Sequence, residues 1–408
     1  MIGKIERFAK IYPLYFGLEG DLLFYIAVDT LFLTIAKNFS AVQIVSVISI
    51  AQIICIILQY PMLFVIRKMG NTCSVRIGSL ALLLSALFTT FGNSYFVILL
   101  ARICHDIATV FRSVSYVALE NNLTLIGKRE EFVKIQTNAN TAYSVITMFI
   151  SFVANWMFSV NYYLPMIGCI TTCTLGFILS FFIKDYSVYN KVTLKNEKGE
   201  RIKIAYSKIV ILVLIVYGLF YSTVQSCQTN GKIFIQQNVI AIFNVEHTAL
   251  IMGVIICVSR IVRVLSNMVF AKLYKKHKAK MGVALPTVLC TAITLLLLGS
   301  FAPKIIFKIC IMTIGYAMLL FVRDPFRVYV QSVLFENTAV EMHQTLMTMV
   351  EFFAKVGYAG MGMLFSAVLL KFPMSVVIAI LLAFSMVEII LCCILYRMLV
   401  TNKTASPS

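Results

Sequence analysis

The stretch from Ile305 to Asn337 constrains this chain more than any other. It is mostly apolar and long enough to cross a bilayer, yet it holds Arg323, Asp324 and Arg327 beside Pro325. A charge at mid-bilayer costs about 2.5–3.5 kcal/mol on insertion scales, so three together cannot face lipid. They require a protein interior or a watery cavity. Arg323 and Arg327 are four apart and share a helix face. Pro325 removes a backbone donor, tends to kink the helix and frees a carbonyl at that depth. The segment has an echo 215 residues earlier, where Phe111, Arg112, Glu120 and Asn121 run in parallel with Phe326, Arg327, Glu336 and Asn337, with one residue of slip. A duplicated membrane bundle would show such a repeat; chance similarity between apolar helices is the alternative.

The rest of the chain agrees with a membrane setting. Of 408 residues 60% are hydrophobic and 13% charged, which identifies an integral, all-helical membrane protein. Twelve spans are expected, at about 12–35, 41–66, 77–92, 95–118, 135–158, 161–183, 209–228, 247–271, 281–301, 309–332, 344–370 and 374–396. The longest polar break, Lys184 to Lys208, divides them into an N-terminal bundle (1–183), a basic linker (184–208) and a C-terminal bundle (209–408). The net charge of +18 is mostly topological. The N-terminus, the loops after even-numbered spans and the C-terminus hold 23 of the 35 Lys and Arg, and the loops after odd-numbered spans hold 5. That asymmetry places both termini in the cytoplasm of a multi-pass cell-membrane protein and leaves no need for a nucleic-acid partner. A lipid-headgroup role for the basic linker stays open. The first apolar segment carries Glu19, Asp21 and Asp29, which the core of a cleavable signal would not tolerate.

Enzyme chemistry finds little support. The eleven cysteines are scattered through apolar segments without a CxxC pair, there are four histidines, and no nucleotide-binding GxxxxGK[ST] occurs. No metal site and no cofactor are expected. Glu351 and Lys355, four apart, read as a structural ion pair, and the Gly357 to Gly362 run reads as close helix packing.

Twelve spans in two sets of six, a long basic central loop and internal termini resemble the major facilitator superfamily of secondary transporters. By motif the resemblance is looser. The family's Gly-x-x-x-Asp-Arg-x-Gly-Arg-Arg loop corresponds here to Leu63 through Thr72, which keeps Lys68 and Gly70 but lacks the first Gly and the Asp. Its second copy corresponds to Ala271 through Lys280, again basic and without the Asp, so the usual charge lock between helices is not expected at this loop. The helix 4 pattern Arg-x-x-x-Gly is represented by Arg102 with Asp106 in the glycine position. The helix 5 Gly/Pro pattern of drug–proton antiporters is missing from Thr137 to Phe158.

In this family helices 1, 4, 7 and 10 line the transport cavity, and those are the spans where the costly polar residues of this chain lie. The resemblance implies substrate contacts from Tyr25, Arg102, Tyr217, Tyr221, Gln225, Tyr316, Arg323 and Arg327, with Gln228 close by. It implies proton coupling through Asp21, Asp29, Asp106 and Asp324, because carboxylates held in a low-dielectric cavity can load and unload a proton near neutral pH. Permanent ion pairs with arginine are the structural alternative. Asp324, Asp29 and Asp21 are the candidate partners of Arg323 and Arg327, and Arg102 with Asp106 can pair within one helix. Arg260 and Arg263 either contribute or form gate bridges. His105 titrates in the physiological range, although a lone histidine is more often a packing residue. A spare cavity arginine favours an anionic or zwitterionic solute. The expectation is a monomeric, proton-coupled secondary transporter of a small organic solute, working by alternating access and in the efflux direction. The alternatives are a lipid flippase of the same fold and a membrane sensor.

Overall fold

The computed structural model describes residues 2–128, 131–186, 208–337 and 343–405; among these every regular element is helical and none is a strand. Most of the basic linker, 187–207, lies outside the described residues, as does the side chain of Glu351 and with it the expected pair with Lys355. Nine helices among the described residues are long and apolar enough to cross a membrane.

The chain forms two compact units, residues 1–28 with 54–205 and residues 29–53 with 206–408. This grouping departs from the expected division at residues 29–53. Three contacts give the reason: Asp29 pairs with Lys232, Gln236 donates to Thr34 at 2.5 Å, and Ser49 fills the space a Cβ on Gly362 would need.

Along the chain, α1 (Ile2–Glu19) and α2 (Leu23–Leu31) occupy the stretch expected as one span. Between them Gly20 lies against the Tyr143 ring, where a Cβ would overlap the aromatic carbons. A π-helical turn, Phe32–Ala36, follows α2. Next come α3 (Ala41–Met69), α4 (Asn71–Phe91), α5 (Tyr95–Ser113), α6 (Ser115–Leu125), α7 (Glu131–Val160) and α8 (Leu164–Ser180). Ser94 caps α5 by accepting from the Val97 amide at 3.4 Å. The fourth expected span is two helices, with Val114 between α5 and α6. Leu22, Leu82, Ala86, Ala108, Cys169 and Cys173 form one buried cluster, and Phe8, Tyr12, Tyr15, Leu119 and Ile183 belong to another.

The loop between α3 and α4 lacks the family's Asp, and hydrogen bonds from the α8 end of the unit reach this loop instead. Asp185, just past α8, accepts from Asn71 at 2.7 Å and from Asn121 at 2.9 Å, and its own amide donates to Thr72 at 2.9 Å. Asn122 donates to the Lys184 carbonyl and accepts from the Tyr186 amide. Amide hydrogen bonds thus tie α4 and α6 to the start of the linker where a charge lock was missing.

The second unit holds α9 (Lys208–Ile240), α10 (Val245–Gly299), α11 (Ile305–Glu336), α12 (His343–Leu369) and α13 (Met374–Ala405). The expected seventh span ended at 228, but α9 continues twelve residues further. Lys232, counted as a loop charge, therefore lies within a helix. Two expected spans meet inside α10 at His277, whose backbone (φ −134, ψ 34) departs from helical values. Pro325 stands within α11, and the carbonyl four residues earlier, Phe321, receives the Ser266 hydroxyl of α10 at 2.5 Å. The helix continues through the proline with that carbonyl satisfied by a neighbouring helix. Phe220 of α9 stacks on Phe326 of α11 with centroids 3.8 Å apart.

Candidate functional site

Each unit carries its own polar cluster. In the first, the break after α1 places Asp21 opposite α5. His105 reaches Asp21 Oδ1 with Nε2 at 2.7 Å and Asp106 Oδ1 with Nδ1 at 3.2 Å. Asp106 is buried and also pairs with Arg102 at 3.3 Å. Asp21 accepts the Leu22 amide at 2.8 Å, which orients its carboxylate at the start of α2. Two carboxylates face the two ring nitrogens of one imidazole. Ionised carboxylates only accept, and a neutral imidazole has one N–H, so the imidazolium is the form that satisfies both contacts. With His105 charged, the four groups Asp21, His105, Asp106 and Arg102 balance to neutrality. Loss of one proton leaves one negative charge. Tyr25 packs in the same unit against the cluster around Leu22 and Ala86.

Sequence reasoning ranked His105 as a packing residue, because a single histidine on an apolar face gives no sign of its neighbours. It also left Glu19 and Arg112 outside the site. They form a buried ion pair at 3.6 Å, with Arg112 Nε donating to the Ala108 carbonyl.

In the second unit Asp29 receives the Lys232 ammonium on both oxygens, at 3.0 and 3.1 Å, and caps the Thr30 amide. Arg263 binds Asp324 through two nitrogens, at 2.7 and 3.1 Å. The acids expected to serve Arg323 and Arg327 are thus joined to other bases: Asp29 to Lys232, Asp324 to Arg263 and Asp21 to His105. Arg323 donates to Gln228 Oε1 at 3.2 Å and lies over the Tyr221 ring at 5.9 Å. Tyr221 in turn stacks on Tyr217 at 5.8 Å. Tyr316 is buried within electrostatic reach of Asp29, Arg260 and Arg323. Arg327 is exposed, whereas Arg112, its counterpart in the sequence echo, is buried. The echo therefore does not extend to the environment of these two side chains. Gln225 Oε1 and Gln228 Nε2 are buried with no hydrogen-bond partner among the described residues. Taken together, Lys232, Arg260, Arg263 and Arg323 outnumber Asp29 and Asp324, so this cluster is net positive.

Residues 20–340 match the Major Facilitator Superfamily. No curated protein sequence matches the chain. Among solved structures, a mutant of the nucleoside transporter NupG superposes with a TM-score of 0.72 at 12% identity, covering 96% of this chain and 99% of NupG. A bacterial homologue of the iron transporter ferroportin, in an inward-facing state, superposes with a TM-score of 0.69 at 11% identity, covering 96% and 98%. At these identities the likeness is one of fold. The sequence match spans most of the chain and agrees with its all-helical, multi-pass architecture: the protein belongs to the Major Facilitator Superfamily and is a membrane transporter, not an enzyme.

Proposed function

We propose that this protein is a proton-coupled secondary transporter of a small anionic organic solute, working by alternating access of its two six-helix halves (1–183 and 209–408). The observation that carries the coupling is His105 held between Asp21 and Asp106. A group that is neutral when loaded and negative when empty exchanges a proton without stranding a larger charge in the membrane. The solute class follows from the second cluster. Four bases against two acids leave positive charge around Arg323 and Tyr316, and Gln225 Oε1 and Gln228 Nε2, without partners among the described residues, offer an acceptor and a donor to a polar ligand. In this reading protons entering from outside the cell drive solute outward, and the protein works as a monomer in the cell membrane.

The test is transport in proteoliposomes under an imposed pH gradient. Wild type should accumulate an organic anion against its gradient and acidify or alkalinise the lumen in step. His105→Gln should still exchange solute across the membrane but lose the response to the pH gradient. If His105→Gln keeps gradient-driven accumulation, the coupling does not run through this histidine. Orientation of the vesicles, fixed by protease access to the linker, reads the direction.

A further inference from the structure

Outside both clusters, one fully buried acid among the described residues has no base beside it. Glu388 lies in the middle of α13 and is fully buried, at 0% exposure. The titratable side chains that act on it or lie next in line are Cys227 of α9 and Cys392 on α13, with Tyr329 of α11 and Cys393 beyond Cys392. No Lys, Arg or His from α9, α10, α11 or α12 interacts with it among the described residues. One oxygen, Oε1, is hydrogen-bonded to Thr223 of α9; the other, Oε2, has no partner among the described residues.

The Thr223 hydroxyl has one hydrogen and two acceptors within reach, Glu388 Oε1 and a backbone carbonyl of its own helix. That carbonyl is Leu219's, at 3.0 Å. Donated to a carboxylate, that hydrogen would leave the Leu219 contact unmade; a protonated carboxyl donating from Oε1 to Thr223 Oγ1 lets the hydroxyl serve Leu219, so the protonated acid is the form that makes both contacts. A carboxylate in this place would be a fully buried charge without a counter-ion, in a helix that crosses the membrane.

We infer that Glu388 is a proton-binding site of the second unit, occupied in this conformation, with Thr223 as the acceptor of its proton. The site is separate from the Asp21–His105–Asp106 chain in position and in partners. It does not depend on the proposed coupling. The hydrogen-bond chain it forms runs from the Glu388 carboxyl through the Thr223 hydroxyl and ends at the Leu219 carbonyl of α9.

Infrared difference spectroscopy of the purified protein in lipid at neutral pH tests this. Wild type should show a protonated-carboxyl carbonyl band that shifts in D2O. Glu388→Gln should lose that band, and Thr223→Val, which keeps the carboxyl and removes its acceptor, should retain the band but move it to higher frequency. His105→Gln should leave it unchanged, so failure of the coupling proposal and failure of this one are distinguishable. An identical spectrum for wild type and Glu388→Gln would overturn the inference. So would a wild-type band already absent at neutral pH, since Glu388 would then be ionised. Should Glu388→Gln not fold, the Thr223→Val shift decides alone: no shift means that Thr223 does not receive the proton.

Discussion

Replacing Glu19 by Gln should destabilise the first unit sharply, because the carboxylate sits in a slot shaped for it. Gly176 of α8 leaves room for its oxygens, and a Cβ there would overlap them. Across the slot, Gly78 of α4 admits the Arg112 side chain, whose Cγ would lie 2.6 Å from a Cβ at that position. Glu19 and Arg112 are 1% and 9% exposed and 3.6 Å apart. At an effective dielectric near 20, charges at that separation attract by about 4–5 kcal/mol. Gln keeps the shape and removes the charge, so Arg112 is left buried without its counter-ion, at a cost of about 3–5 kcal/mol. For a body of this size that is a fall in melting temperature of roughly 6–20 °C. The assay is thermal unfolding read with a thiol-reactive dye, since Cys169 and Cys173 are fully buried in the same unit and become reactive only when it opens. The double variant Glu19→Gln, Arg112→Met should regain at least half of the loss, because it removes the stranded cation. A Glu19→Gln protein melting within about 2 °C of wild type would refute the reasoning: Glu19 would then be neutral in the native fold.

Gly176→Ala should lower the melting temperature although alanine is the better helix former, because the added carbon collides with the Glu19 carboxyl; a rise would mean that the slot relaxes freely. Ser266→Ala strands the Phe321 carbonyl before Pro325 and should destabilise by about 1–3 kcal/mol, seen as earlier dye labelling of Cys227 in the second unit. Asp29→Asn and Lys232→Met should each destabilise, with the double variant less affected than the sum by about 1 kcal/mol, since both groups are partly exposed; strict additivity in the same melting assay would show that the pair contributes nothing. In a thermal-shift screen of organic anions, sugars, amphipathic drugs and lipids, the class that stabilises wild type should bind Arg323→Ala about 10–100-fold more weakly; an unchanged response would remove Arg323 from the solute site.

The sequence revealed which residues were costly but not which ones they would meet. Apolar segment length, the Lys and Arg asymmetry and the polar residues of four spans were sufficient to reach the superfamily, because each is a local property of the chain. Partner choice is a property of packing. Asp29 and Lys232 are 203 residues apart, and His105 and Asp21 are 84 apart. Nothing in either neighbourhood marks the match, and Lys232 was concealed because α9 runs on past the point where its hydropathy falls. Glu388 escaped notice for a related reason. A single acid in an otherwise apolar twelfth span resembles a residue near a helix end, and only the packing shows that it is fully buried beside Thr223.

The distribution of acids also bears on mechanism. Asp29, Asp324 and Glu19 each contact a lysine or arginine that is always charged, so protonating any of them would strand that cation. Asp106 likewise pairs with Arg102, whereas Asp21 faces His105, whose charge can change with its own, and Glu388 has no cation to strand among the described residues. For the proposed coupling and the inferred second proton site, a change of protonation therefore carries the least electrostatic penalty at His105 and at Glu388. Of the four acids expected to carry protons, the proposed coupling rests on Asp21 with His105, while Asp106, Asp29 and Asp324 are paired with Arg102, Lys232 and Arg263.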